Sequence, residues 1–240
     1  MIIVVAHQKG GTGKTTIAVN LAVAMGTELL DMDKQHSSII FNHSRRQAGM
    51  PPVTCYTIAE SECLLDGQQP VPEEELDEFL TVFKGHPKRH ILIDCGGFDS
   101  KNNRGALCYS DYTLTPLAPS GTEMYGLQMF ENILVETEER IGQHLASHVL
   151  INNADLRSPK RIEELRQYVS QKPEHFSLCQ TVVAQRMAFK TSYEKGLSVE
   201  ELYEQAKSAK AKQKYEQGSN EIKSLAGEIY RSLEIQKGAV

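Results

Sequence analysis

Three glycines, two lysines and three threonines crowd into Lys9-Gly10-Gly11-Thr12-Gly13-Lys14-Thr15-Thr16. Residues of these types at this spacing suit one kind of chemistry, the holding of a polyphosphate. Gly10, Gly11 and Gly13 let successive backbone N–H groups converge on an anion, and a helix starting at once adds the positive end of its dipole. Lys14 is placed to neutralise β- and γ-phosphates, and the Thr15 hydroxyl to ligate Mg2+. The strict pattern G-x-x-x-x-G-K-[ST] is not met, because its first position falls on Gln8. The stretch reads instead as the variant K-G-G-x-x-G-K-[ST] without its spare residue, with Lys9 as an additional lysine ahead of the glycines.

Such a loop needs a second acid for the magnesium shell, at the end of a neighbouring strand. Ile91-Leu-Ile-Asp94 is three apolar residues followed by an acid, which puts Asp94 at the carboxyl edge of a sheet, where ligands collect in open α/β folds. A third acidic stretch is Asp31-Met-Asp-Lys-Gln35.

The elements that must position these residues follow from the hydrophobic pattern. Ile2 to Ala6 is a short apolar run suited to a strand buried on both faces, and Ile17 to Met25 reads as the helix after the loop. Further strands are expected at Glu28–Asp33, at 51–56 on the sheet edge because proline opens it, at His90–Asp94, at 112–117 interrupted by Pro116, at His148–Asn152, and more weakly at 178–183. Helices are expected at 37–49, from Pro72, at 122–139 and at 158–169, with two or three more from about residue 198. Residues 60–72, with Asp66-Gly67, read as a loop. Strands alternating with helices predict a doubly wound, mostly parallel α/β sheet, and residues 1–240 read as a single domain.

The chain has 240 residues, 40% hydrophobic and 24% charged, with a net charge of −5. This is a globular composition, and one that excludes coating by nucleic acid through bulk charge while leaving room for a local basic patch. Cysteines 55, 63, 95, 108 and 179 form no C-x-x-C pair, so neither a zinc framework nor disulfides are indicated. No signal peptide or membrane-spanning run is expected, which predicts a cytoplasmic protein.

The phosphate loop resembles the deviant Walker A loop of the ParA/MinD family of ATPases. That resemblance implies a P-loop fold, ATP and Mg2+ as ligands, and a nucleotide-sandwich homodimer in which Lys9 reaches the partner's phosphates. It implies nucleotide binding by Gly10, Gly11, Thr12, Gly13, Lys14, Thr15, Thr16 and Asn152, the last near adenine. Asp31-Met-Asp-Lys-Gln35 is similar to the family's D-x-D-P-Q, which assigns Asp33 to the attacking water, Asp31 to structure and Gln35 to the magnesium shell. Lys34 departs from the usual proline. Metal ligation is thereby expected of Thr15, Asp33 and Asp94, catalysis of Lys9, Lys14 and Asp33, and a flexible switch of Gly96-Gly97. Residues 186–200 look like the ParA pattern R-x-A-[FY]-x-x-A…G-x-[ST]-V-x-E, with Ser192 in place of Ala.

Because the loop begins at residue 9, the short form without an N-terminal helix-turn-helix is expected. The closest resemblance, to short ParA-type partition ATPases, implies ATP-dependent binding of non-specific DNA and a centromere-binding ParB-like adaptor that stimulates hydrolysis. It also implies nucleoid association in the ATP state and no stable membrane association. Candidate DNA contacts are Arg186, Lys190, Lys207, Lys210 and Lys214, the last three predicted on one helix face at i, i+3 and i+7. The alternative is a MinD-like membrane-cycling ATPase or one that positions another cargo. Cys95, beside Asp94, and Cys108 read as buried, inert thiols.

Overall fold

The structure, a computed structural model, describes residues 1–58 and 68–238. The described residues form an eight-stranded sheet in the order β4-β3-β2-β5-β1-β6-β7-β8. Its strands are β1 (Ile2–Val5), β2 (Glu28–Asp31), β3 (Cys55–Ile58), β4 (Gln68–Val71), β5 (Ile91–Asp94), β6 (Tyr112–Leu117), β7 (Ser147–Ala154) and β8 (Phe176–Ala184). Every pairing is parallel. The helices are α1 (Lys14–Met25), α2 (Ser37–Gln47), α3 (Leu76–Gly85), α4 (Lys101–Tyr109), α5 (Gly121–Ile141), α6 (Pro159–Ser170), α7 (Met187–Glu194), α8 (Val199–Gln205) and α9 (Ala209–Gly238).

Strand alternation divides the core into two layers, because successive side chains leave a strand on opposite faces. Ile2 and Val4 of β1 join Leu80 and Phe83 of α3, Leu107 of α4 and Leu127 and Phe130 of α5 on one face. Ile3 and Val5 join Ile17 and Leu21 of α1, Phe41 of α2, Phe189 of α7 and Ile222, Leu225 and Ile229 of α9 on the other. Strands covered on both sides carry no polar face, which is why they read as continuous apolar runs. The chain leaves β1 toward β2 on one side and leaves β5 toward β6 on the other, so the order reverses at β1. The carboxyl end of that strand opens the crevice where an α/β sheet takes its ligand.

Proline placement explains where the sequence reading departs. The edge strand is β4, which contains Pro70, and β3 lies inside the sheet between β2 and β4. The rule that proline belongs at an edge holds, but for Pro70 rather than for Pro51 and Pro52, and residues 68–71 are strand rather than loop. Asp66-Gly67 and Cys63 lie outside the described residues. Pro116 does not interrupt β6. It pairs with β7 beyond the point where β1 has ended, so β6 has a neighbour on one side only at that position. The segment α4 gave no helical signal, and its start is fixed by Ser100, whose side chain accepts from the Asn103 N–H.

The motif over residues 186–200, together with Glu201, is a brace between helices. Gly196 has φ +63°, and a Cβ there would lie 2.2 Å from the backbone nitrogen of Arg45 in α2. Ser198 and Glu201 form a reciprocal capping box at the start of α8, while Glu201 also accepts both Arg45 Nη1 at 2.7 Å and Nη2 at 2.9 Å. Buried Asn20 of α1 donates to the Thr16 carbonyl and accepts from the Val199 N–H. Gly196→Ala should therefore destabilise the protein by on the order of 3 kcal/mol, the left-handed penalty and the backbone clash together. Gly142→Ala, at φ +66° in open space, should lose only about 1 kcal/mol. Urea unfolding midpoints of the two variants check this, and equal losses would remove the clash from the account.

Candidate functional site

The loop between β1 and α1 turns on two left-handed glycines, Gly11 at φ +80° and Gly13 at φ +88°. Neither conformation is open to an ordinary side chain at low cost. A Cβ on Gly13 would also meet the Asn152 side chain at 2.4 Å. Gly97 lets the loop after β5 approach, since a Cβ there would lie 2.8 Å from Gly10 Cα. Gly126 of α5 makes room for His7 in the same way. Strand, loop and helix thus bring Gly10, Gly11, Thr12, Gly13, Lys14, Thr15 and Thr16 together at the carboxyl end of β1.

Lys14 is buried, and its ammonium donates to the Lys9 carbonyl at 3.0 Å. Burial depresses its pKa, while the charges of Asp94 and Asp33 support the ammonium form. Asp94 is fully buried at the end of β5. It accepts from the Ser38 hydroxyl at 2.7 Å and bonds the Thr15 side chain. Burial raises its pKa to about 6 against those two hydrogen bonds and Lys14. Asp31 stands opposite Asp94 in the strand register and is fully buried too. Burial first, and the neighbouring Asp94 charge second, hold its pKa well above the usual carboxylate range. Its oxygens accept from the N–H groups of Asp33, Ser38 and Ile39, which moulds the turn from β2 into α2. Asp33 is half-buried on that turn, and its side chain accepts from the Gln35 N–H at 3.0 Å.

Buried polar atoms without a partner gather around the loop: Asp94 Oδ1, Thr12 Oγ1, His7 Nε2, Gln8 Oε1 and Glu123 Oε2. Native proteins rarely leave such atoms unsatisfied, and a cluster of them marks a place built for a ligand or an ion. Carboxylate and hydroxyl oxygens at Asp94, Asp33 and Thr15 are the hard donors that Mg2+ takes, and the glycine cradle with Lys14 suits phosphate.

Two of the family-based candidates make contacts within this chain. Asn152 is buried, and its amide donates to the Thr12 carbonyl at 2.8 Å, so in this chain it fastens the phosphate loop to β7. Lys9 pairs with Glu123 in the first turn of α5. Sequence reasoning missed Ser38, Glu123 and His7. His7 is buried with Nδ1 accepting from the Lys9 N–H, and burial followed by the Lys14 charge lowers its pKa to about 4. Serine two residues inside α2 carries no signal of its own; only the fold sets it against Asp94.

The basic candidates do not share one helix, and two of them are paired with acids. Arg186 is held by Glu221 of α9 at 2.7 Å, and Lys190 lies 3.9 Å from Glu194. Lys207 falls between α8 and α9, so only Lys210 and Lys214 share a helix, and they occupy its opening turns. α8 ends at Gln205, so these cations lie at a new amino end, where the helix dipole does not favour them. Cys95 is buried, and burial pushes its thiol far up; Cys108 is only half-buried, its Sγ 3.2 Å from the Arg104 carbonyl.

Solved structures share this architecture across nearly the whole chain. The septum site-determining protein MinD of Pyrococcus horikoshii OT3, complexed with Mg-ADP, is 18% identical with a TM-score of 0.63, covering 95% of each chain. A single-residue variant of McdA from Cyanothece, in complex with ATP, is 16% identical with a TM-score of 0.53, over 92% of this chain and 95% of that one. A plasmid partition protein of Borrelia burgdorferi is 20% identical with a TM-score of 0.52, over 81% and 95%. At these identities the likeness is one of fold. A comparison with curated proteins gives no match. The family of the ATPase MipZ matches residues 1–127, the stretch that holds the phosphate loop, Asp31, Asp33, Asp94 and Glu123. The chain therefore belongs to the MipZ ATPase family, within the wider ParA/MinD group.

Proposed function

We propose that the chain is a ParA-type ATPase that closes as a homodimer on ATP, binds DNA without sequence preference in that state, and releases it on hydrolysis. A centromere-binding ParB-like adaptor stimulates the hydrolysis, in the cytoplasm and on the nucleoid. The observation that carries the reading is the phosphate loop set against a fully buried Asp94 with one unpartnered oxygen. In this reading Lys14 and the loop N–H groups hold the β- and γ-phosphates. Thr15, Asp94 and Asp33 hold Mg2+, which supplies charge neutralisation on those phosphates. Asp33, on the turn after β2, orients the attacking water. Chemistry of this kind is mostly positioning.

Two features support closure on a second copy. Lys9 lies at the surface with its side chain 42% exposed, tied to Glu123 alone among the described contacts. Tyr125 and Met129 on α5, Leu156 after β7 and Met187 at the start of α7 are large, apolar and exposed, and all follow the carboxyl ends of strands. DNA is favoured over lipid by α9, whose apolar stripe of Ile222, Leu225, Ile229 and Leu233 is buried in the core instead of being free for a membrane. No helix among the described residues is long and apolar enough to cross a membrane.

Asp94 makes the first test. With metal chelated, a folded-state pKa near 6 against an ordinary value of 3.8 means that ionising Asp94 destabilises the fold as pH rises through that window, by on the order of 3 kcal/mol. His7, lowered to about 4, runs the other way, losing stability as pH falls from 6.5, so the comparison must be between variant and wild type. Asp94→Asn should equal wild type near pH 4, exceed it in stability at pH 8, and lose the Mg2+ dependence of nucleotide binding. Denaturation curves from pH 4 to 8 and calorimetry check both.

Lys9→Ala, placed on an Asp33→Ala background to slow hydrolysis, should still bind ATP but remain monomeric in light scattering. A dimer that survives the loss of Lys9 refutes its role across the interface. The DNA reading is decided by mobility-shift titrations with ATP, with ADP and without nucleotide. Binding should appear only with ATP and fall steeply with salt, and each lysine among 207, 210 and 214 that meets phosphate should lower the log–log slope by roughly one unit when replaced by alanine. Equal binding in all three states rejects the switch, and ATP-dependent sedimentation with vesicles in place of DNA transfers the reading to a membrane-cycling ATPase.

A further inference from the structure

At the edge of the sheet opposite the phosphate loop, the end of α5, the turn after it and the residue before β8 bring together one carboxylate and two imidazoles. Gly142, at φ +66°, ends α5 and folds the chain back, so that His144 returns over the last turn of the helix. Its Nδ1 lies 2.6 Å from Glu138 Oε1. His175, which precedes β8, enters from the other side with Nδ1 3.8 Å from the same oxygen. One ligand atom from each of the three residues lies within 4.8 Å of the others.

We propose that Glu138, His144 and His175 form a zinc site that clamps the amino ends of β7 and β8 to the end of α5. The donor set is the borderline mixture of imidazole nitrogen and carboxylate oxygen that Zn2+ takes, unlike the all-oxygen shells of Mg2+ and Ca2+. Ligands about 2.0–2.1 Å from a tetrahedral ion stand roughly 3.3 Å apart, and the 2.6 and 3.8 Å separations lie on either side of that value. The backbone already places two of the ligands: the Leu145 N–H donates to Glu138, and the buried His175 is held by the bond from Ser147 N–H to its own carbonyl. His175 Nδ1 faces the Leu145 carbonyl at 3.2 Å, and it gives up that contact and its proton when it takes the ion. His144 faces solvent with its side chain 60% exposed, which gives the ion a way in and leaves the fourth position to water. Glu138 lies about 22 Å further along α5 than Glu123 at the helical rise, so the ion has a structural task separate from nucleotide chemistry.

The test uses tag-free, chelator-stripped full-length protein, with Mg2+ in excess to occupy the acids near the phosphate loop. Titration with Zn2+ should show one equivalent bound in calorimetry and a rise in Tm. Glu138→Gln keeps an acceptor for the Leu145 N–H, and His144→Ala changes only an exposed side chain. Both variants should fold and should lose Zn2+ affinity by roughly tenfold or more, while His43→Ala, on α2, keeps it. Absence of stoichiometric Zn2+ binding overturns the site, as does binding that neither variant weakens.

Discussion

Two carboxylates lie side by side in the floor of the sheet, and the rest of the site depends on their being tolerated there. Asp31 and Asp94 end adjacent strands at the same register position, both with no exposed surface. Burial pushes both pKa values up, and to it are added the Asp94 charge at Asp31 and the Asp33 charge at Asp94. What offsets this is local and specific. Three backbone N–H groups are aimed at Asp31, hydroxyls from Thr15 and Ser38 at Asp94, and the buried Lys14 ammonium stands close by. A site so arranged is under-compensated without further positive charge, and its unpartnered Asp94 oxygen shows where such charge would be best received.

That arrangement sets what the surrounding helices must do. α1 has to start from a left-handed Gly13 to aim its amino end into the crevice, and its opposite side is clamped by α9 and by the Asn20 contact to α8. α2 must present the Ser38–Ile39 backbone to Asp31, and it is fixed by the Arg45–Glu201 pair and by Gly196 pressed against its backbone. The brace over residues 186–201 therefore acts on the site at one remove, through the position of α2. α5 serves the other side: its first turn holds Lys9 through Glu123, and Gly126 lets the helix close on His7.

Much of this was legible in the chain. The phosphate loop, the apolar runs of β1 and β5, the acid ending each of β2 and β5 and the alternation of strands with helices are local patterns. Each is dictated by short-range physics: glycine's freedom at positive φ, the period of a strand, the requirement that a doubly covered sheet be apolar on both faces. The misplaced edge shows the boundary of that reasoning. Proline at an edge is a sound rule, yet Pro51, Pro52, Pro70 and Pro116 cannot be ranked by it, because a strand's neighbours are set by topology and not by its own sequence.

The sequence by itself determined the fold class, the family and the glycine-rich loop between β1 and α1, since those follow from residue type and spacing. The tertiary structure alone decided the pairing of Asp31 with Asp94, the hydrogen bond from Ser38, the use of Asn152 to fasten the loop, the tie between Lys9 and Glu123 and the meeting of Glu138 with His144 and His175. It also split the basic run 207–214 between a loop and a new helix. The physical reason is common to all of these. Each contact joins groups distant in sequence or oriented by a turn, and its energy depends on burial and direction, which no local pattern encodes.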